Sequence, residues 1–289
     1  ISGLAQNSTR PDNFIGIHYF SPVEKMPLVE IIMGEKTSQE TLAKTMDYVQ
    51  KIKKTPIVVN DSRGFYTSRV FGTYTGEGVA MLAEGIKPAL IENAGKMTGM
   101  PMAPLALADA VALDLAWKVT TQTKKDFEAE GKDFPITPMY SIMEEMVDKQ
   151  GRFGKKNSKG FYEYPENGKK YLWPELSNLC KESEDQPDVE ELKKRFLYIQ
   201  AIETAKCYEE NVLTDVRDAD IGAILGWGMA PWTGGPLSFI DMVGIKDFVA
   251  EADRLAQKYG ERFTPCKLLR DMAAKNESFH KSGNSSQAA

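Results

Sequence analysis

Two residues near the start of the chain stand where a fold normally places hydrophobes. His18 lies in the apolar run FIGIHYF (14–20) and Glu30 in the run LVEIIM (28–33). Burying an ionisable side chain in such a run is costly unless it is paired, and each is the evident partner of the other. Both runs are short, rich in Ile, Val and Phe, and bounded by Pro or Gly, so each predicts a buried strand. The turn-prone SPVEKMP between them closes an antiparallel hairpin centred on Glu24. In that register residues 18 and 30 stand opposite on one face, with Cβ atoms about 5 Å apart; a one-residue slip would put them on opposite faces. An imidazole held by a carboxylate is equipped to move a proton near neutral pH, because the carboxylate fixes the tautomer and favours the imidazolium that forms. The same two residues also suit a buried ion pair that only ties two strands together. The other of the two histidines, His280, falls in a polar tail. Any histidine chemistry therefore rests on His18.

The elements that position this pair follow in order. Ser38–Lys53 opens with Ser-Gln-Glu and carries Leu42, Met46, Val49 and Ile52 at helical spacing, which predicts a capped amphipathic helix. Pro56–Asn60 predicts a further strand, closed by Asp-Ser-Arg-Gly. Strand, strand, helix and strand in this space amount to part of an α/β sheet. From Phe65 the pattern turns helical, over Phe65–Glu84, Lys87–Met97 and Leu107–Thr123, and no strand is expected until Gly160–Tyr164. Residues 165–187 form a polar connector, and a second helical block begins at Val189 and ends near Ala274.

The two helical blocks resemble each other at a spacing of about 127 residues. Arg69-Val-Phe and Ala80-Met-Leu-Ala-Glu-Gly85 resemble Arg195-Phe-Leu and Ala205-Lys-Cys-Tyr-Glu-Glu210. Met102-Ala-Pro104 resembles Met229-Ala-Pro231, and Asp109-Ala-Val resembles Asp241-Met-Val. This predicts a duplicated helical domain that packs on itself as a homodimer would.

Composition narrows the function. The chain has 289 residues, 42% hydrophobic and 27% charged, with net charge -5, enough for about two or three domains with a real core. No run approaches the ~18 apolar residues of a transmembrane helix. The mild acidity and the lack of a basic cluster with interleaved aromatics argue against nucleic acid. Cys180, Cys207 and Cys266 are far apart and show no CxxC spacing, so neither a zinc site nor a disulfide frame is expected. No G-x-G-x-x-G, P-loop, GxSxG or HExxH occurs; Gly226-Trp-Gly228 lacks the third glycine and follows a helix.

The blocks His18-Tyr-Phe-Ser-Pro-Val and Met26-Pro-Leu-Val-Glu30 resemble the signature of the L-3-hydroxyacyl-CoA dehydrogenases. Asp61-Ser-Arg-Gly-Phe65-Tyr-Thr-Ser-Arg69, Met102-Ala-Pro104, Phe153-Gly-Lys-Lys156 and Gly160-Phe-Tyr162 are similar to further blocks of that family in the same order. The second helical copy, with Arg217-Asp-Ala-Asp-Ile-Gly222 and Gly234-Gly-Pro236, resembles the extra C-terminal domain of multifunctional fatty-acid oxidation enzymes. Arg262-Phe-Thr-Pro-Cys266 and Glu277-Ser-Phe279 are similar to the alpha subunits of bacterial β-oxidation complexes and of the mitochondrial trifunctional enzyme.

The resemblance implies a mainly α fold with a partial α/β part. Residues 1–60 would be the C-terminal remnant of a Rossmann-type NAD-binding domain. Residues 61–165 and 188–280 would be two helical domains like the C-terminal domain of 6-phosphogluconate dehydrogenase, joined by a linker at 166–187 and followed by a disordered tail, 281–289. It implies oxidation of an L-3-hydroxyacyl-CoA to a 3-ketoacyl-CoA with NAD. His18 would be the base and Glu30 the carboxylate that orients it. Ser68 stands where many members have an Asn that polarises the substrate oxygen, and a hydroxyl can still donate there. Ser21 stands where many have an Asn near the nicotinamide, and Lys156 matches a lysine reaching the cofactor; a solvated lysine in a basic turn is its plainer reading.

Because Ile1 is no initiator Met, the chain is expected to be a piece of a longer protein. The glycine-rich phosphate turn and an enoyl-CoA hydratase module would precede it, and the piece alone would be inactive. A thiolase β subunit is the expected partner. A bacterial cytoplasm is the expected compartment, or the mitochondrial matrix in a eukaryote. A competing expectation keeps the fold but makes the chain a non-catalytic helical module docking its parent to thiolase. A third, a related 3-hydroxyacid or 3-hydroxybutyryl-CoA dehydrogenase, accords less well with two helical copies.

Overall fold

The computed structural model describes residues 1–134 and 136–280, so the expected tail at 281–289 lies outside the described residues. The chain divides into two compact units: residues 1–71 with the chain from Leu197 onward, and Gly72–Phe196. Residues of the second helical block build one unit with the N-terminal sheet.

That sheet holds three strands, β1 (Gly16–Tyr19), β2 (Leu28–Met33) and β3 (Thr55–Asn60), in the order β1-β2-β3. The hairpin has the expected register: β1 runs antiparallel to β2 with His18 opposite Glu30. β3 lies parallel to β2, with Glu30 beside Ile57. Alternation then sorts β2 into two faces. Val29 and Ile31 point to the helix Gln39–Lys51 and pack with Val49, Leu42 and Met46. Ser38 caps that helix as expected, its hydroxyl accepting the Thr41 N–H at 3.2 Å.

The opposite face carries Leu28, Glu30 and Ile32. The helix Val216–Trp227 lies against β2 and β3 there. Two glycines on that helix let it approach closely: a Cβ at Gly222 would stand 2.8 Å from Ile57 Cδ1, and one at Gly226 2.9 Å from Leu28 Cδ2. Asp218 ties the helix to the sheet by accepting the Val58 N–H at 3.0 Å. This packing is why the second helical block belongs to the same unit as the sheet.

In the Gly72–Phe196 unit the expected helix over 107–123 is two helices, Pro104–Val111 and Leu113–Ala129. They break at Ala112, whose φ of 74° is left-handed, a conformation costing about 1 kcal/mol for a non-glycine residue. A contact absent from local pattern offsets it: Leu113 N–H donates to Phe153 O at 3.1 Å. The expected strand at 160–164 shrinks to β4 (Tyr162–Glu163), paired with β5 (Tyr171–Leu172) inside the supposed polar connector. Lys170 spans this hairpin by standing 4.4 Å over the Tyr162 ring.

One arrangement recurs in both units. Glu92 is buried and accepts the Leu105 and Ala106 N–H groups at 2.7 and 3.2 Å, at the start of the helix Pro104–Val111. Asp220 likewise accepts the Leu237 and Ser238 N–H groups at the start of the helix Pro236–Val243. Further along these helices Asp109 accepts from Phe161 N and Tyr162 N, and Asp241 from Phe279 N and His280 N. Arg195 pairs with Glu77 and Glu84 in one unit, and Arg69 with Glu203 and Glu210 in the other. His280 is therefore not a free tail residue: its Nε2 lies 2.7 Å from Asp220 Oδ2, where Tyr162 holds Glu92 in the other unit.

Burial pushes the Asp109 carboxyl up to about 6 from 3.8, against three donors that favour its ionised form. The folded state thus binds this proton more tightly than the unfolded chain. Its contribution to stability is greatest below pH 3.8 and is lost as pH rises through about 6. We predict that the unfolding free energy of the protein, relative to Asp109→Asn, falls between pH 4 and pH 6.5 by roughly 2 kcal/mol. Urea titrations of both proteins across that range check this; a pH-independent difference would contradict it.

Candidate active site

The site begins with Glu30, which is fully buried yet has four donors around its carboxylate. Oε1 accepts the Tyr66 and Thr67 N–H groups, both at 3.0 Å. Oε2 accepts the Thr67 hydroxyl at 2.7 Å and lies 2.8 Å from His18 Nδ1. Thr67 is the first residue of the helix Thr67–Ala83. Glu30 therefore takes up backbone donors that a helix start leaves without intrahelical partners, at the end where the helix dipole favours negative charge. A carboxylate met only by donors acts purely as an acceptor.

The loop before this helix is shaped to deliver those donors. Gly64 has φ 79° and Phe65 φ 50°. A left-handed Phe is uncommon and strained, and it places the Phe65 ring 6.2 Å from His18, on which Phe20 also packs at 4.6 Å. Tyr66 anchors the next position, donating its hydroxyl to Ala219 O at 2.8 Å. Burial holds that phenol well above its usual range, so it remains a donor.

His18 is 30% exposed where Glu30 is wholly enclosed. With Glu30 at Nδ1, the ring presents Nε2, which has no partner among the described residues. If Nδ1–H donates to the carboxylate, Nε2 carries a lone pair and is a proton acceptor.

Ser21 is exposed at the head of the β1–β2 turn, and its peptide bond to Pro22 is cis. Lys54 holds that turn by donating to Val23 O and Met26 O at 2.5 and 2.6 Å. Ser68 is exposed on the first turn of the helix Thr67–Ala83, next to Thr67, and its hydroxyl has no partner among the described residues. Lys156 belongs to the other unit, where its Nζ pairs with Asp114 Oδ2 at 2.5 Å and holds that carboxyl below its usual range. The structure thus brings His18 and Glu30 together and puts Ser21 and Ser68 in the same unit. Sequence reasoning missed Thr67, which touches Glu30 twice, and Lys54. The signal for Thr67 was faint, since a Thr at a helix start reads as its own cap. Among the described residues no group of His, Cys, Asp and Glu is arranged to hold a metal ion, and no helix is long and apolar enough to cross a membrane.

Fold and site together give an imidazole–carboxylate pair on a three-stranded sheet flanked by helices. Sequence models of one family match consecutive stretches: 3-hydroxyacyl-CoA dehydrogenase, NAD binding domain, over residues 1–62, and the C-terminal domain of the same family over residues 64–164. Together they cover more than half of the chain, which belongs to the 3-hydroxyacyl-CoA dehydrogenase family. The fold is similar to that of 3-hydroxybutyryl-CoA dehydrogenase from Escherichia coli K12, with TM-score 0.75 and 22% identity over 96% of this chain and 73% of that one. It is also similar to the dehydrogenase part of multifunctional enzyme 1 from C. elegans, with TM-score 0.65 and 26% identity, covering 93% of this chain and 61% of that one. The (S)-3-hydroxybutyryl-CoA dehydrogenase of Ralstonia eutropha is 35% identical over 57% of each chain, with TM-score 0.51. This chain spans less than two thirds of the last two.

The four-donor cage predicts the effect of neutralising Glu30. In Glu30→Gln the amide nitrogen must face either the Tyr66 and Thr67 N–H groups, which cannot accept, or the Thr67 hydroxyl and His18, which accept only by reversing their roles. Losing the charge-assisted bonds should cost about 2 kcal/mol, read as a lowered denaturation midpoint. An unchanged midpoint would contradict the cage.

Proposed function

We propose that this chain carries the acid–base centre for oxidation of an L-3-hydroxyacyl-CoA to the 3-ketoacyl-CoA. The observation that carries the reading is the His18 Nδ1 contact to a buried carboxylate, with Nε2 of the partly exposed ring lacking a partner among the described residues. That donor set suits an NAD-linked oxidation, since such a reaction asks the protein for a proton acceptor and nothing more reactive. NAD, when bound, supplies the acceptor for the hydride that leaves C3.

Every other step falls to the chain's own residues. His18 Nε2 takes the proton of the 3-hydroxyl as the C3–H bond gives up its electron pair, so the oxygen becomes a carbonyl. Glu30 stabilises the imidazolium formed and keeps the ring from turning. Ser68, exposed beside Thr67, is the candidate donor to the substrate oxygen, in place of the amide common in the family. Ser21, on a turn held by Lys54, is the candidate contact to the nicotinamide end of the cofactor, and Lys156 a second cofactor contact if it leaves Asp114.

The reading extends to a larger setting. Residues 188–280 lie beyond the stretches that the family models match, and they repeat the buried-carboxylate arrangement of the 61–165 part. The likeness to the dehydrogenase part of a multifunctional enzyme supports the same setting. We read the two parts as copies of one helical domain in a multifunctional β-oxidation enzyme, with hydratase activity elsewhere in the protein and a thiolase subunit as partner. The cytoplasm, or the mitochondrial matrix in a eukaryote, belongs to that reading.

His18→Gln in the full-length enzyme should lower kcat for NADH formation by about 10²–10⁴ while the protein stays folded, because Glu30 keeps its three donors from Tyr66 and Thr67. Retained oxidation would remove His18 as the base.

A further inference from the structure

The Thr67 hydroxyl is placed for more than holding a loop. Thr67 is 1% exposed, and its Oγ1 donates at 2.7 Å to Glu30 Oε2, the same oxygen that takes His18 Nδ1. Glu30 does not need this hydroxyl to stay in position. Oε1 is already fixed by two backbone N–H groups, and these cannot turn away without unwinding the helix start. A threonine in the first turn of a helix commonly turns its hydroxyl to local backbone; this one is committed to the carboxylate instead.

We propose that Thr67 is a positioning residue of the proton-transfer pair, whose hydroxyl shares the charge of Glu30 Oε2 with His18 and so limits how strongly the carboxylate holds Nδ1–H. Two donors on one oxygen divide its electron density, and where both oxygens are buried that division is screened little by solvent. The effect falls on Oε2 alone, since no other side-chain donor reaches it among the described residues. A base that must release its proton after each turnover benefits from a carboxylate whose grip is moderated. The catalytic meaning of the contact rests on His18 being the base proposed above; the contact and its effect on Nδ1–H do not.

Proton NMR of the chain labelled with ¹⁵N-histidine tests this without turnover. With only two histidines in the chain, the Nδ1–H resonances are assigned by comparison with His280→Gln. In the unmodified protein we expect a cross-relaxation peak between His18 Nδ1–H and the Thr67 hydroxyl or methyl protons. In Thr67→Val, which keeps the shape and deletes the hydroxyl, the His18 Nδ1–H resonance should move downfield as that bond strengthens. Thr67→Ser, which restores the hydroxyl, should return it to the original position. An unmoved or upfield-shifted resonance in Thr67→Val would overturn the proposal, showing that the hydroxyl is idle or only holds the carboxylate in place. Should that variant fail to fold, absence of the cross-relaxation peak in the unmodified protein overturns it equally. Loss of oxidation activity with the Nδ1–H behaviour as expected would instead fault the assignment of the base.

Discussion

A carboxylate with no solvent around it governs the architecture near His18. Glu30 sits on a central strand of a small sheet, in a run of hydrophobes, and its charge costs several kcal/mol to bury unless it is met. The protein meets it with a helix start, a threonine hydroxyl and an imidazole. Each of these has its own structural requirement. The helix start demands the left-handed Gly64–Phe65 bend, the backbone donors demand that Tyr66 be anchored, and the imidazole demands that β1 pair with β2 in one register. A slip of one residue would separate His18 from Glu30 and strand the charge.

The same device serves the rest of the molecule. Glu92 and Asp220 meet the starts of other helices, and Asp109 and Asp241 meet the N–H groups of segments distant in sequence. Buried acids here act as brackets, each exchanging solvent for several donors at one joint. Glu30 has a further partner, as two of the others do. Glu92 holds a tyrosine and Asp220 a histidine, whereas Glu30 holds its histidine across the paired strands β1 and β2. Structural brackets and the proposed proton-transfer pair are built from one kind of contact.

Much of this was legible in sequence. Two ionisable residues placed symmetrically about Glu24 in apolar runs sufficed to predict the hairpin, its register and the pair, because buried charge leaves few solutions. The cap at Ser38 and the repeat of Arg69 and Arg195 were equally plain. What stayed hidden depends on contacts between distant segments. Ala112 breaks a helix with no glycine or proline to announce it. β5 lies in a polar stretch and is held by Tyr162 and Lys170. His280 follows no periodic pattern, so its anchoring to Asp220 and Asp241 could not be read from its neighbours. An acid inside an apolar helix, as at Asp109 in PLALADAV, was a usable sign of a bracket that passed unread. Thr67 was hidden behind Ser68, the neighbouring position to which the family resemblance drew attention.

The central claim is that Glu30 fixes the tautomer of His18, leaving Nε2 as the proton acceptor. The ¹⁵N chemical shifts of the two His18 ring nitrogens, measured in alkaline solution, test it most directly. We expect a protonated Nδ1 and a bare Nε2, with Glu30→Gln relaxing that preference. A bare Nδ1 with the proton on Nε2 would contradict it, since the ring could then neither be held by Glu30 as described nor accept a proton from the open side.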